Sequence, residues 1–250
     1  VMALLGFSQA ERLLQFQGEY NFSHNDEIRE KLIREKNLMT PEDWQRSFYS
    51  GWLYAVAGLS QDPESGTANE RSALFSALSA WTLLRHDLIL YTKQSYTPAL
   101  GITSIQPVSD HEPSLWIEPK KEAYQRLESL SKTLSMRLAA HPSLNAVAVD
   151  KVSKITLFLN QVLDRVRHQE ENKLGPTDHQ FDQQFIQQLT RLIGRDSTSI
   201  LAADVHTNLN TQEVLEECLG YYGLKVSVFS QDGLFYLGVG PSMTYYEFKH

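Results

Sequence analysis

Apolar positions recur at three- and four-residue spacing through most of the chain and at alternate positions near its end, so the pattern predicts helices first and strands last. Ser8-Gln9-Ala10-Glu11 has the spacing of a capping box ahead of Leu13, Leu14 and Phe16, which predicts a short helix closing near Gly18. From Asp26, Ile28, Leu32 and Ile33 are set among Arg29, Lys31, Arg34 and Lys36 as on a surface amphipathic helix. Thr40-Pro41-Glu42-Asp43 supplies an N-cap, a first-turn proline and two acids, and predicts one aromatic helix through Trp44, Phe48, Tyr49, Trp52, Leu53 and Val56. A long helix is expected from Asn69 to Tyr96, where Thr97-Pro98 stops it.

Pro98, Pro107, Pro113 and Pro119 then punctuate a stretch with no helical period, the longest loop of the chain and one expected to be functional or docked. Helices are predicted from Pro119 to His141, from Ser143 to Leu174, and from the capping-box spacing Thr177-Asp178-His179-Gln180 to Gly194. Beyond it the period shortens. Ser199 to Val205, Glu213 to Leu219, Leu224 to Phe229, Leu234 to Val239 and Met243 to Phe248 read as five short strands. Gln231-Asp232-Gly233 is a hairpin signal, and Gly238-Val239-Gly240 reads as a turn before Pro241. The expected fold is mainly α, a multi-helix domain over 1–195 followed by a small C-terminal antiparallel β-sheet over 196–250, α+β overall.

Composition narrows the function classes. Formal charge is −7 and no Lys/Arg cluster stands out, which argues against a nucleic-acid partner. Mean hydropathy is −0.34 and no apolar stretch approaches the ~20 residues of a membrane helix, so no transmembrane segment is expected in this portion. The single cysteine, Cys218, excludes an internal disulfide and reads as a small buried hydrophobe. Val1-Met2-Ala3-Leu4-Leu5-Gly6-Phe7 has neither a basic leader nor a cleavage site. Leu4, Leu5 and Phe7 are therefore expected to lie against another segment, with a preceding portion of the same polypeptide as that partner, the alternative being a docked first helix.

The densest chemical anomaly runs from Trp81 to Gln94, where Arg85, His86 and Asp87 interrupt an apolar stretch. One helical turn points them in three directions about 100° apart, so at least one faces the interior and must be paired there. One reading is a polar network with Arg85 over the Trp81 ring or bridging a carboxylate. The other is a site in which His86 beside an acid acts as general base, with Trp81, Tyr91, Lys93 and Gln94 as ligand-binding candidates. Asp204 and His206, two apart on a predicted strand and followed by Asn208 and Asn210, are the candidate metal ligands. Two side chains fall short of a zinc set, so no metal and no cofactor is expected. The aromatic set Trp44, Phe48, Tyr49, Trp52 and Tyr54 reads as core rather than as a sugar platform. Asn21-Phe22-Ser23 fits a glycosylation sequon, and no H-E-x-x-H, G-x-S-x-G, Walker A or G-x-G-x-x-G motif is found.

Phe48-Tyr49-Ser50-Gly51-Trp52-Leu53-Tyr54-Ala55, the run W-x-x-L-R-H-D-x-x-L-Y-x-K-Q from Trp81 to Gln94, Ala203-Asp204-Val205-His206-Thr207 and Tyr245-Tyr246-Glu247-Phe248 together resemble a large, mostly bacterial and archaeal family of unknown function. The resemblance implies an exported, cell-envelope location, with many members looking like exported proteins or lipoproteins, and a longer polypeptide of which these residues are the C-terminal part. It supplies no reaction. Leu88 stands where the family commonly shows Thr, and Asn208 where an acid is usual, which weakens a metal role at Asp204 and His206. The expected function is a binding or structural domain without evident catalysis, for a cell-envelope ligand. The alternative is a hydrolase of surface glycans or peptides with a pocket near Arg85, His86 and Asp87.

Overall fold

The computed structural model describes residues 1–16, 25–61, 67–88, 114–141, 146–171, 178–193, 202–231 and 234–249. The sequon at Asn21, the Thr177 cap and most of the proline-rich stretch lie outside these residues. The described helices are α1 (Met2–Leu5), α2 (Ser8–Phe16), α3 (Asn25–Leu38), α4 (Pro41–Trp44), α5 (Phe48–Gly58), α6 (Thr67–Leu88), α7 (Lys121–Ala139), α8 (Ala146–Glu170) and α9 (Asp178–Ile193). The described strands are β1 (Ser114–Leu115), β2 (Ala202–Thr207), β3 (Val214–Gln231) and β4 (Leu234–Lys249). This is the mainly helical α+β fold that the periodicity predicts. Two compact units interleave along the chain, one made of Val1–Trp81 and Lys120–Asn160, the other of Thr82–Pro119 and Gln161–His250.

In the first unit the apolar start of the chain is covered by its own helices. Met2, Leu5 and Phe7 are buried with Val56 and Ala57 of α5 and Ala73, Leu74 and Ala77 of α6, each large side chain adding about 1.5–3 kcal/mol. The Ser60 hydroxyl donates to the Leu5 carbonyl at 3.2 Å and Lys36 Nζ to that of Leu4 at 2.9 Å, tying down the backbone of α1.

The aromatic helix predicted from Pro41 is broken at Gln45–Ser47, because α7 supplies partners for the break. Gln45 bonds Ser129 and Thr133 through its amide, each at 2.8 Å, and Arg137 donates to the carbonyls of Gln45 and Arg46. Ser47 then restarts the helix through a capping box with Ser50. Nor do the aromatics all face the core, although Trp52 packs against the buried cluster. Phe48 and Tyr49 are exposed, while Tyr54 stacks on Trp44 at 5.5 Å beneath the Arg126 guanidinium. The buried residues of α5 are Gly51, Ala55, Val56, Ala57 and Gly58, with Gly51 and Gly58 set against α7. A Cβ on Gly58 would lie 2.8 Å from the Ala123 backbone, so only glycine permits this approach of α5 to α7.

In the second unit the sheet order is β1-β4-β3-β2, with β2, β3 and β4 antiparallel. The five predicted strands merge into three. Gly220 marks a bulge, the register passing from Leu219↔Tyr245 to Tyr222↔Met243, and a Cβ there would meet Thr244 Oγ1 at 2.4 Å. Gly238-Val239-Gly240 is strand, not turn. Gly240 opposes Lys225 in the ladder, and its missing Cβ leaves room for the Trp116 carbonyl, which such an atom would approach to 2.9 Å. That carbonyl belongs to the chain following β1, a parallel edge strand drawn from the stretch read as loop. The pair Gln231↔Leu234 frames the hairpin, whose turn lies outside the described residues. Leu84, Leu115, Ile117, Val162, Val166, Phe185 and Leu219 are buried in this unit. Cys218 is only half-buried, because alternation places it on the opposite sheet face from Leu219.

Candidate functional site

Within α6 the three consecutive polar residues do point apart. Arg85 is buried, His86 is half-buried and Asp87 is exposed, as successive 100° steps require. Arg85 Nη1 donates to Glu217 Oε2 of β3 at 2.8 Å, with both side chains more than nine-tenths buried. The carboxylate that Arg85 was expected to bridge is thus Glu217. Trp81, one turn earlier, is half-buried, and Tyr91, Lys93 and Gln94 lie outside the described residues.

Beta-sheet register assembles the rest of the cluster. Glu217 stands opposite Glu247 of β4, and Leu219 opposite Tyr245, so Tyr245 and Glu247 share the sheet face of Glu217. The Tyr245 hydroxyl donates to Glu247 Oε1. Burial pushes the Tyr245 phenol far above its ordinary value, reinforced by that hydrogen bond and by the negative charges of Glu217 and Glu247, against a smaller opposing pull from Arg85. The phenol accordingly keeps its proton on the Glu247 hydrogen bond. Burial also raises the Cys218 thiol, helped by Glu216 and Glu217, which keeps it protonated and a poor nucleophile.

Asp204 and His206 lie in β2 opposite Glu217 and Leu215; their side chains are not among those described. The turn after them is an Asx turn, in which the Asn210 N–H donates to Asn208 Oδ1 at 3.0 Å, so this oxygen is engaged by the backbone. Among the described residues no group of three His, Cys, Asp or Glu side chains is placed to hold a metal ion.

A second buried polar cluster escaped the sequence reading entirely. Arg165 of α8 pairs with Asp182 of α9 at 2.8 Å, and both turn to the backbone of Leu115. Asp182 Oδ2 accepts from the Leu115 N–H at 3.1 Å, and Arg165 Nη2 donates to the Leu115 carbonyl at 3.3 Å. One helical turn on, the Gln169 amide accepts from the Ile117 N–H at 3.1 Å and donates to the Ile117 carbonyl at 2.8 Å. The Trp116 N–H points the other way, to the Val239 carbonyl of β4 at 3.1 Å. Lys225 Nζ pairs with Glu118 at 2.9 Å. A signal for Arg165 was present, since it lies three residues after Val162 and one before Val166 on the apolar face of α8. Nothing local marks Asp182 or Glu217 as its kind of partner.

Fold and clusters together define an α+β protein in which buried charges of the second unit serve to hold strands. The chain belongs to the family described as a protein of unknown function (DUF3160), whose model matches residues 1–250. No curated protein and no solved structure matches it. Among the described residues no helix is long and apolar enough to cross a membrane.

Proposed function

We propose that this chain is a structural, partner-binding domain of an exported cell-envelope protein and that it performs no catalysis of its own. The observation that carries this reading is the buried pairing of Arg85 with Glu217. An arginine that binds substrate, or a histidine activated by a neighbouring acid, must present its polar atoms where a substrate arrives. Here the guanidinium is committed to a carboxylate, Asp87 points to solvent, and Tyr245 is held protonated. The envelope location, lipoprotein character and a preceding portion of the polypeptide as partner are supported by the resemblance of the Trp81 to Gln94 run to its family.

The test pairs chemistry with location. Purified protein is incubated with peptidoglycan, surface oligosaccharides and unstructured peptides, and the products are separated chromatographically, with no turnover expected. Turnover abolished by His86→Ala would establish the hydrolase in place of the binding domain. Fractionation of host cells is expected to recover the protein with the envelope, and recovery in the cytoplasmic fraction overturns the location.

A further inference from the structure

The chain around Ser114–Glu118 is held in an unusual way for a structural strand. Strand β1 pairs with β4 over two residues only, Ser114↔Gly238 and Leu115↔Val239. Its other edge, where a further strand would lie, is met by side chains instead: Arg165 and Asp182 at residue 115, Gln169 at residue 117. The spacings match. Arg165 and Gln169 are four apart on one helix face, a rise of about 6.0 Å, and alternate strand residues are about 6.6 Å apart. Helix α8 thus runs as a ruler along the strand and reads every second peptide group. All four of these contacts go to main-chain atoms and would form with any extended sequence.

Side-chain selectivity comes from the alternation. Leu115 and Ile117 are 4% and 9% exposed, whereas Trp116 between them and Glu118 after them are half-buried, with Glu118 held by Lys225. Main-chain bonds for affinity and pockets at alternate positions for specificity are how an added strand is recognised at a sheet edge. In the sequence Pro113 and Pro119 bracket the segment, and neither can donate to a ladder. Arg165, Gln169 and Asp182 are themselves buried, and their hydrogen bonds satisfy main-chain groups of Leu115 and Ile117 that would otherwise be buried without a partner.

We propose that Arg165, Gln169, Asp182 and the outer edge of β4 form a strand-binding slot for extended peptides with apolar residues at alternate positions followed by an acid. Ser114–Glu118 is the tethered occupant. This names a partner class for the binding-domain reading and rests on it. The two fail separately, since the slot is read by binding and that reading by turnover.

The test uses the full chain with Leu115→Asp and Ile117→Asp, which expels the tethered strand, and a labelled peptide of sequence Ser-Leu-Trp-Ile-Glu-Pro followed by fluorescence polarisation. Saturable binding to this variant is expected, about tenfold weaker binding to the wild type, where the tethered strand competes at an effective concentration in the millimolar range, and loss of binding on adding Gln169→Ala. A variant that keeps its helical circular dichroism but binds no peptide, or binds it regardless of Gln169, overturns the proposal. Should the variant not fold, the peptide is titrated into the wild type and amide exchange followed. Faster exchange at Leu115 and Ile117 supports the slot, and unchanged exchange in excess peptide overturns it.

Discussion

Removing the Arg85 guanidinium, as in Arg85→Ala, takes from the buried Glu217 carboxylate the cation 2.8 Å away. The side chains are 9% and 8% exposed, so solvent screening returns little of the loss, and breaking such a pair from one side costs about 3–5 kcal/mol. A ceiling comes from the alternative open to the variant, protonation of Glu217. For an ordinary glutamate that costs about 3.7 kcal/mol at pH 7 and about 1 kcal/mol at pH 5. Register adds to the penalty, because Glu217 also faces Glu247 across β3 and β4. The expected destabilisation is thus about 3 kcal/mol at pH 7, shrinking to about 1 kcal/mol at pH 5. Its sign follows from linkage: in the variant the folded carboxyl binds its proton more tightly than the unfolded one, so the folded state regains stability as pH falls. Urea denaturation of wild type, Arg85→Ala, Glu217→Gln and the double variant at both pH values measures the effect and the coupling, with the double variant expected to lose less than the sum of the singles. A midpoint in Arg85→Ala unchanged at pH 7 would refute the reasoning, as would a loss of equal size at the two pH values.

Gln169→Leu orphans both the N–H and the carbonyl of buried Ile117 and is expected to cost about 2–4 kcal/mol with faster exchange of the Ile117 amide, read by denaturation and hydrogen exchange. Gly58→Ala sets a methyl 2.8 Å from the Ala123 backbone and is expected to cost about 1–3 kcal/mol. Gly51→Ala meets only the movable end of Leu130 and is expected to cost less, so equal melting shifts would contradict the packing account. Tyr245, raised in the folded state above its unfolded value of 10.0, contributes stability that is whole below pH 10 and lost as pH rises beyond it. Ultraviolet titration should show one late phenol that Tyr245→Phe removes, and simultaneous ionisation of all tyrosines in the folded protein would count against it.

The positions of α2, α7, α8 and α9 were legible in the sequence because helix formation is local: caps and spacing over one or two turns decide it. The same held for the hairpin around Gln231 and for the need of a buried partner in the Arg85 run. The sequence alone could not show that α7 breaks the aromatic helix at Gln45, since Ser129, Thr133 and Arg137 lie more than eighty residues away. It could not show that glycine, not tryptophan, forms the close face of α5, because an apolar count ranks residues by transfer energy and the α5–α7 approach is limited by space at Gly58. The strands read as separate because glycine breaks a strand pattern locally, whereas at Gly220 and Gly240 a facing chain needs the room. Tertiary structure alone chose Glu217, 132 residues distant, as the partner of Arg85, and placed Leu115 between Arg165 and Asp182. Pairing of buried charge is a requirement that one residue can announce, but its answer depends on sheet register, which no local signal carries.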